Sequence, residues 1–388
     1  MKSFAVNLLK PGMVFSKPVY LDESNILVPA GNPVKPKDIF TLQALGIDTV
    51  WTDGAPQSLG IEPKGFTAVR VNQVNPTLSL SEVHENKGSY RTYISLIERI
   101  NTMLLRIASR EVIVDNRPVN AISTQLLQAV RDQRELFIGF ILGGEVKGYA
   151  MAKSSVNTAI LSALIAQEIR LPHHKIINII IGALLHDAGM LRLPREITEK
   201  RGELSGAERQ RMHSHPLLAN NIVTRELNYH NEVGDIVLQH HERWDGNGYP
   251  YGFAGERIDK GARIVSITDA FEAMVSQKPY RNSIVGYQAM KNLLADNSRR
   301  FDPELLKIFI LIMGIYPIGS IVRLNNGVIA RVSDTRADAP LRPKIQVLID
   351  EYKKVYKNER GFFIDLLMEK HLYITKAMTV KELSELNV

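Results

Sequence analysis

The chain has 388 residues, 45% of them hydrophobic, enough to bury a sizeable core and divide into two or three domains, which excludes a disordered protein. Its 48 basic and 41 acidic residues leave a formal charge of +7 without a long run of one sign, so no nucleic-acid-binding tail is expected. Cysteine is absent, which excludes disulfides and thiolate metal sites and leaves His, Asp and Glu to hold any metal.

At the start, "MKSFAVNLLKPGM" breaks its apolar run with Lys10, Pro11 and Gly12, unlike an export signal. No apolar segment reaches the roughly 18 residues that span a bilayer. The protein therefore reads as soluble and cytoplasmic, with neither a membrane nor a nucleic acid as partner. Residues 1–65 alternate short apolar runs with Gly and Pro and read as a small α+β module and linker. Within it a helix is expected over Lys37–Leu45 and a strand over Asp48–Thr52. Residues 66–139 read as a helical connector. One helix over Tyr90–Arg110 carries the stripe Tyr93, Leu96, Ile97, Ile100, Leu104 and Ile107, and a second runs over Ser123–Gly139. These two helices are a candidate homodimer contact.

Residues 140–315 read as helix after helix: Val156–Ile169, Lys175–His186, a helix opened by the capping-box pair Ser205 and Glu208, then Pro216–Glu226, Asn231–His241, Ala262–Ser276, Val285–Asp296 and Pro303–Met313. After Tyr316 the period becomes two. "GSIVRLNNGVIARVSD" sets Asn326 and Gly327 between alternating runs, a strong hairpin signal, and "KIQVLID" and "GFFIDLL" supply further strands. Residues 316–388 thus read as a small β module with a tail after Thr375. The expected fold class is multidomain and mainly α, an all-α bundle flanked by the two small modules.

The chemistry concentrates between Leu185 and Arg281. His186 and Asp187 end one apolar helix, Asp269 lies inside another, and His213 or His215, His240 and His241 fall between them. A buried carboxylate without a partner costs several kcal/mol, about 3 to 5 when its counter-charge is missing, and a cation is the usual remedy. Imidazoles and acids spread over several apolar helices therefore point to a centre for one or two divalent ions. A carboxylate shared by two cations favours Mn or Fe.

The succession "LLHDAG", "HSHP", "HHERWDGNGYP" and "SITDAFEAMVSQKPYR" resembles the HD-GYP family, a branch of the HD superfamily of metal-dependent phosphohydrolases. The resemblance covers about residues 140–315, and the flanking modules resemble small domains found beside such bundles. It implies a bacterial phosphodiesterase that hydrolyses cyclic di-GMP to linear pGpG or GMP. It also implies metal ligation by His186, Asp187, His215, His240, His241 and Asp269, with Asp187 bridging two ions. His215 rather than His213 fits the family pattern because it precedes a proline, which leaves His213 as an exposed helix residue. Tyr249 and Pro250 would border the substrate and offer a surface to GGDEF-type signalling proteins. Lys278, Tyr280 and Arg281 would meet phosphate or guanine. Catalysis would fall to Asp187 and to Arg281 as the planar phosphate clamp.

Two positions depart from the pattern. Ser154, in "SSVNTA", stands where the family has a histidine ligand, and Met190 stands where it has a lysine; the position of a further acid is Ala150. These departures imply a weakened first ion position and reduced turnover. The alternative they raise is a cyclic di-GMP receptor or protein-interaction module without turnover.

Overall fold

In the computed structural model the chain forms two compact units, Met1–Val69 and Arg70–Val388. The structure describes residues 2–6, 9, 13–20, 26–32, 34, 42, 47, 49–57, 87–110, 115–143, 148–200, 202–276, 286–295, 299–336, 338–356, 361–378 and 382.

The first unit holds an antiparallel sheet in the order Lys2–Ala5, Thr49–Thr52, Val19–Tyr20, Ile26–Val28. Val19, Val28 and Val50 point to one side and pack with Phe15 and Leu42. The helix expected over Lys37–Leu45 lies, but for Leu42, outside the described residues.

The second unit is built around the helix Ala150–Glu168. Thirteen of its residues are buried, so it has no solvent face and needs neighbours on every side. Lys87–Ala108, Arg117–Asp132, His173–Leu185, Lys260–Val275 and Pro303–Met313 supply them. The two helices read from sequence as a connector share this core: Tyr93, Leu96, Ile97 and Ile100 pack in one cluster with Val156, Ile160 and Phe271. Their apolar stripes are the natural cover for a helix that is buried all round.

The single helix expected over Ser123–Gly139 is in fact two, Arg117–Asp132 and Arg134–Gly143. Gln133 leaves helical geometry at φ −145° and ψ 49°. The turn brings Phe137 and Phe140 onto Tyr93, with ring centroids 6.4 and 5.4 Å apart. A short helix, Arg195–Thr198, was too brief to leave a periodic signal.

The C-terminal strands form a five-stranded antiparallel sheet in the order Phe363–Asp365, Lys344–Ile349, Ile329–Asp334, Ile321–Leu324, Ile374–Met378. The hairpin at Asn326 and Gly327 sets Val322 opposite Ala330, with Gly327 at φ +86°. The residues expected to begin a tail instead pair with Ile321–Leu324, a strand whose interrupting Lys376 hid its alternation. No helix among the described residues is long and apolar enough to cross a membrane.

Candidate metal centre

Three histidines reach the site by the same local device. The last carbonyls of a helix lack partners within it. His186 follows the helix His173–Leu185, His240 follows Asn231–Gln239, and His215 lies three residues beyond Met212, the end of Gly206–Met212. Each donates its Nδ1–H to the carbonyl three residues back, His186 to Ala183 at 2.8 Å, His215 to Met212 at 2.8 Å and His240 to Val237 at 2.7 Å. A carbonyl only accepts, so Nδ1 carries a hydrogen in each, and Nε2 is the nitrogen left to meet a metal ion or, in its place, a proton.

Those nitrogens converge. Asp187, His215, His240 and His241 each offer one ligand atom, all within 4.8 Å of one another. His215 Nε2 lies 3.4 Å from Asp187 Oδ1 and 3.5 Å from His240 Nε2. His186 Nε2 sits to one side, 3.5 Å from Asp187 Oδ2 and 3.4 Å from Asp269 Oδ1, buried and without a hydrogen bond of good geometry. Asp269 comes from the helix Lys260–Val275.

The electrostatics fit a cation. Burial works to lower the pKa of His186, but the carboxylates of Asp187 and Asp269 outweigh it and push it up to about 10, a proton there doing what a cation would do. Burial opposes ionisation of Asp269 as well, and contact with His186 overrides it, holding the carboxyl well below its usual range. Burial and neighbouring imidazoles drive His240 far down and His241 to about 3, so both are neutral and available as ligands. A half-buried donor set of three imidazoles and one carboxylate, with the Nε2 of His186 beside it, suits a divalent metal ion.

Close approach of the elements depends on two glycines. A Cβ on Gly189 would lie 1.9 Å from the His215 carbonyl oxygen and 2.7 Å from the Ala219 nitrogen, so the turn after Asp187 presses directly on the backbone that carries His215. A Cβ on Gly248 would meet the Arg243 nitrogen at 2.4 Å.

Tyr249 roofs the cluster, its ring 4.8 Å from that of His241 and 6.3 Å from that of His215, and the bond to Pro250 is cis. His213 is not the exposed residue expected from sequence. It is half-buried and stacks on Tyr249 at 3.9 Å with the rings 5° from parallel. Met190 lies in the 3-10 turn Ala188–Arg192, its N–H bonded to the Asp187 carbonyl. Lys278, Tyr280 and Arg281, expected at the substrate, lie outside the described residues.

Several contributors were missed in the sequence. Glu242 is buried and accepts the N–H groups of Tyr251 at 2.7 Å and Phe253 at 3.0 Å, which ties down the loop after Tyr249. Its place inside the "HHERW" run was the available signal. The positive charge of Arg300 reaches both His241 and Tyr249, and its carbonyl accepts from Trp244 at 2.9 Å. The Ser154 hydroxyl donates to Glu272 at 2.6 Å. Replacing Glu242 by glutamine turns one acceptor into a donor facing a backbone N–H. The expected cost is about 1 to 3 kcal/mol, concentrated in the loop, and is read as faster amide exchange at Tyr251 and Phe253. Unchanged exchange there would remove Glu242 as the anchor.

The helical bundle with this cluster is an HD domain: residues 145–305 match the family described as "HD domain", and residues 321–386 match "KOW domain associated with HD domain". This match and the relatives named next support the HD-GYP family for this part of the chain. It is 31% identical over 201 residues to a cyclic di-GMP phosphodiesterase of Pseudomonas aeruginosa, covering 52% of this chain and 48% of that protein. A cyclic di-GMP phosphodiesterase of Borreliella burgdorferi is 31% identical over 207 residues, 53% of this chain and 54% of that one. The chain thus spans about half the length of these curated relatives. Among solved structures, an HDG"Y"P protein from Bdellovibrio bacteriovorus covers 79% of this chain and 97% of its own, with 15% identity and a TM-score of 0.48.

Proposed function

We propose that the chain is a metal-dependent phosphodiesterase acting on cyclic di-GMP and releasing pGpG or GMP. The observation that carries the reading is the convergence of Asp187, His215, His240 and His241 beneath Tyr249. The activities of the two relatives named above supply the substrate class.

His186, Asp187, His215, His240, His241 and Asp269 would hold the ions, with Mn or Fe the best match to this donor set. Divalent ions supply Lewis acidity there, bringing the pKa of water toward about 7 and neutralising phosphoryl oxygens. The protein's own part is orientation. The Nδ1–H bonds lock three imidazoles before substrate arrives, and the carbonyls that lock them belong to helix ends that cannot swing without unwinding a turn. Tyr249, kept protonated by burial and by the charges of Asp187 and Asp269, closes the cluster from above and can donate to a phosphate oxygen. Lys278, Tyr280 and Arg281 remain candidates for the phosphate and guanine contacts, with Arg281 the clamp.

A second reading, a receptor that holds the nucleotide without turnover, draws on the Ser154 hydroxyl being committed to Glu272. The two are separated by incubating purified protein, loaded with Mn or Fe, with cyclic di-GMP. Linear product is expected. Retained binding with no linear product in either metal would overturn the enzyme reading in favour of the receptor.

A further inference from the structure

Tyr249 is held between two imidazoles. His213 stacks on it with centroids 3.9 Å apart and the rings 5° from parallel, and His241 lies 4.8 Å away, tilted by 33°. His213 and His241 make no ring contact with each other among the described residues, so they cover opposite faces of the phenol. Tyr249 then has only its edge and its hydroxyl to offer, and a flat ligand finds no face of it to rest on. The rings form a column that starts at His240, 4.0 Å from His241, passes through Tyr249 and ends at His213.

His213 is the open end. It is partly exposed, Tyr249 covers one face of its ring, and neither ring nitrogen has a hydrogen bond among the described residues. A cation stands beside it. Arg209 lies one helical turn earlier, its carbonyl accepts the His213 N–H at 2.9 Å, and its positive charge reaches the ring. Arg209 is exposed and forms no ion pair among the described residues, the neighbouring Glu208 being taken by Lys200 and Ser205.

A nucleotide whose phosphate lies at the metal cluster has its base one sugar away. Every base has a flat face that stacks on an aromatic ring. Guanine also presents O6 and N7, two acceptors matched to the fork of a guanidinium. We propose that the outer face of His213, with Arg209 at its rim, is the subsite for one guanine base of the substrate. The inference rests on the cyclic di-GMP reading above and adds a base contact to it. His213 is then a substrate-binding residue rather than a metal ligand, and Tyr249 backs it while turning its hydroxyl to the phosphate.

The test compares probes with and without bases, and reads binding rather than turnover. Full-length protein loaded with Mn is titrated by calorimetry with the bisphosphorothioate analogue of cyclic di-GMP, which resists hydrolysis, with the matching cyclic di-AMP analogue, and with inorganic phosphate. His213→Ala is expected to weaken the guanine analogue roughly tenfold or more, while phosphate affinity and Mn content stay as in wild type. His213→Phe keeps a stacking face and is expected to bind nearly as wild type. Arg209→Gln is expected to move the preference from guanine toward adenine, the base that glutamine pairs with. Undiminished binding of the guanine analogue by His213→Ala overturns the subsite while the metal centre stands. An equal loss of phosphate affinity overturns it too, since His213 would then act on the centre through Tyr249. If wild type binds neither cyclic analogue, the cyclic di-GMP reading fails and takes this one with it. Should His213→Ala lose its Mn, Arg209→Gln decides, because that side chain is exposed. An unchanged ratio of guanine to adenine affinities then overturns the subsite.

Discussion

Asp187→Asn is expected to empty the centre of metal and to lower the proposed phosphodiesterase turnover by on the order of a thousandfold, because the lost charge faces both His186 and His215. Loss of a residue merely supporting a ligand costs roughly 10 to 100-fold in metal affinity, and Asp187 stands closer than that. The fold should survive. Asp187 is about one-third exposed, is isosteric with asparagine, and its carboxylate is one of two that His186 contacts, the other being that of Asp269. Elemental analysis of the purified variant, read beside its circular dichroism, checks the expectation. Metal content equal to wild type would show that the ligand set is wrong, whatever happens to turnover.

Gly189→Ala should damage the protein through shape alone. The added methyl would sit 1.9 Å from the His215 carbonyl oxygen, and both contacting atoms are backbone, which no rotamer change can move. Either the turn Ala188–Arg192 or the helix His215–Asn221 has to shift, and overpacking of this kind costs roughly 1 to 3 kcal/mol, occasionally more. The same shift moves His215 away from Asp187. A fall in Tm of several degrees together with loss of metal is expected. A variant that keeps both its Tm and its metal would show that the close approach of these two elements is not needed.

These two substitutions show where sequence was informative and where it was silent. The helix Pro303–Met313 and the hairpin at Asn326 and Gly327 were legible because period and turn chemistry are local. The capping box at Ser205 and Glu208 was legible for the same reason, and both of its arms are present. The break at Gln133 was not, because the residue is an ordinary helix former. What decides it is the packing of Phe137 and Phe140 against Tyr93. The strand Ile374–Met378 escaped notice because its pairing partner lies some fifty residues earlier.

At the metal centre the sequence by itself determined the stock of ligands: imidazoles and acids, no thiol, and a motif order that marks an HD-GYP protein. It also determined that His186 and Asp187 follow one apolar helix and that Asp269 lies inside another. Only the tertiary structure decided which way each side chain turns. His213 stacks on Tyr249 while His215, two residues on, faces Asp187, and Ser154 turns to Glu272. Glu242 reaches forward to hold the loop. The reason is that side-chain direction depends on contacts between helices distant in the chain, and local sequence carries no record of where another helix will pack.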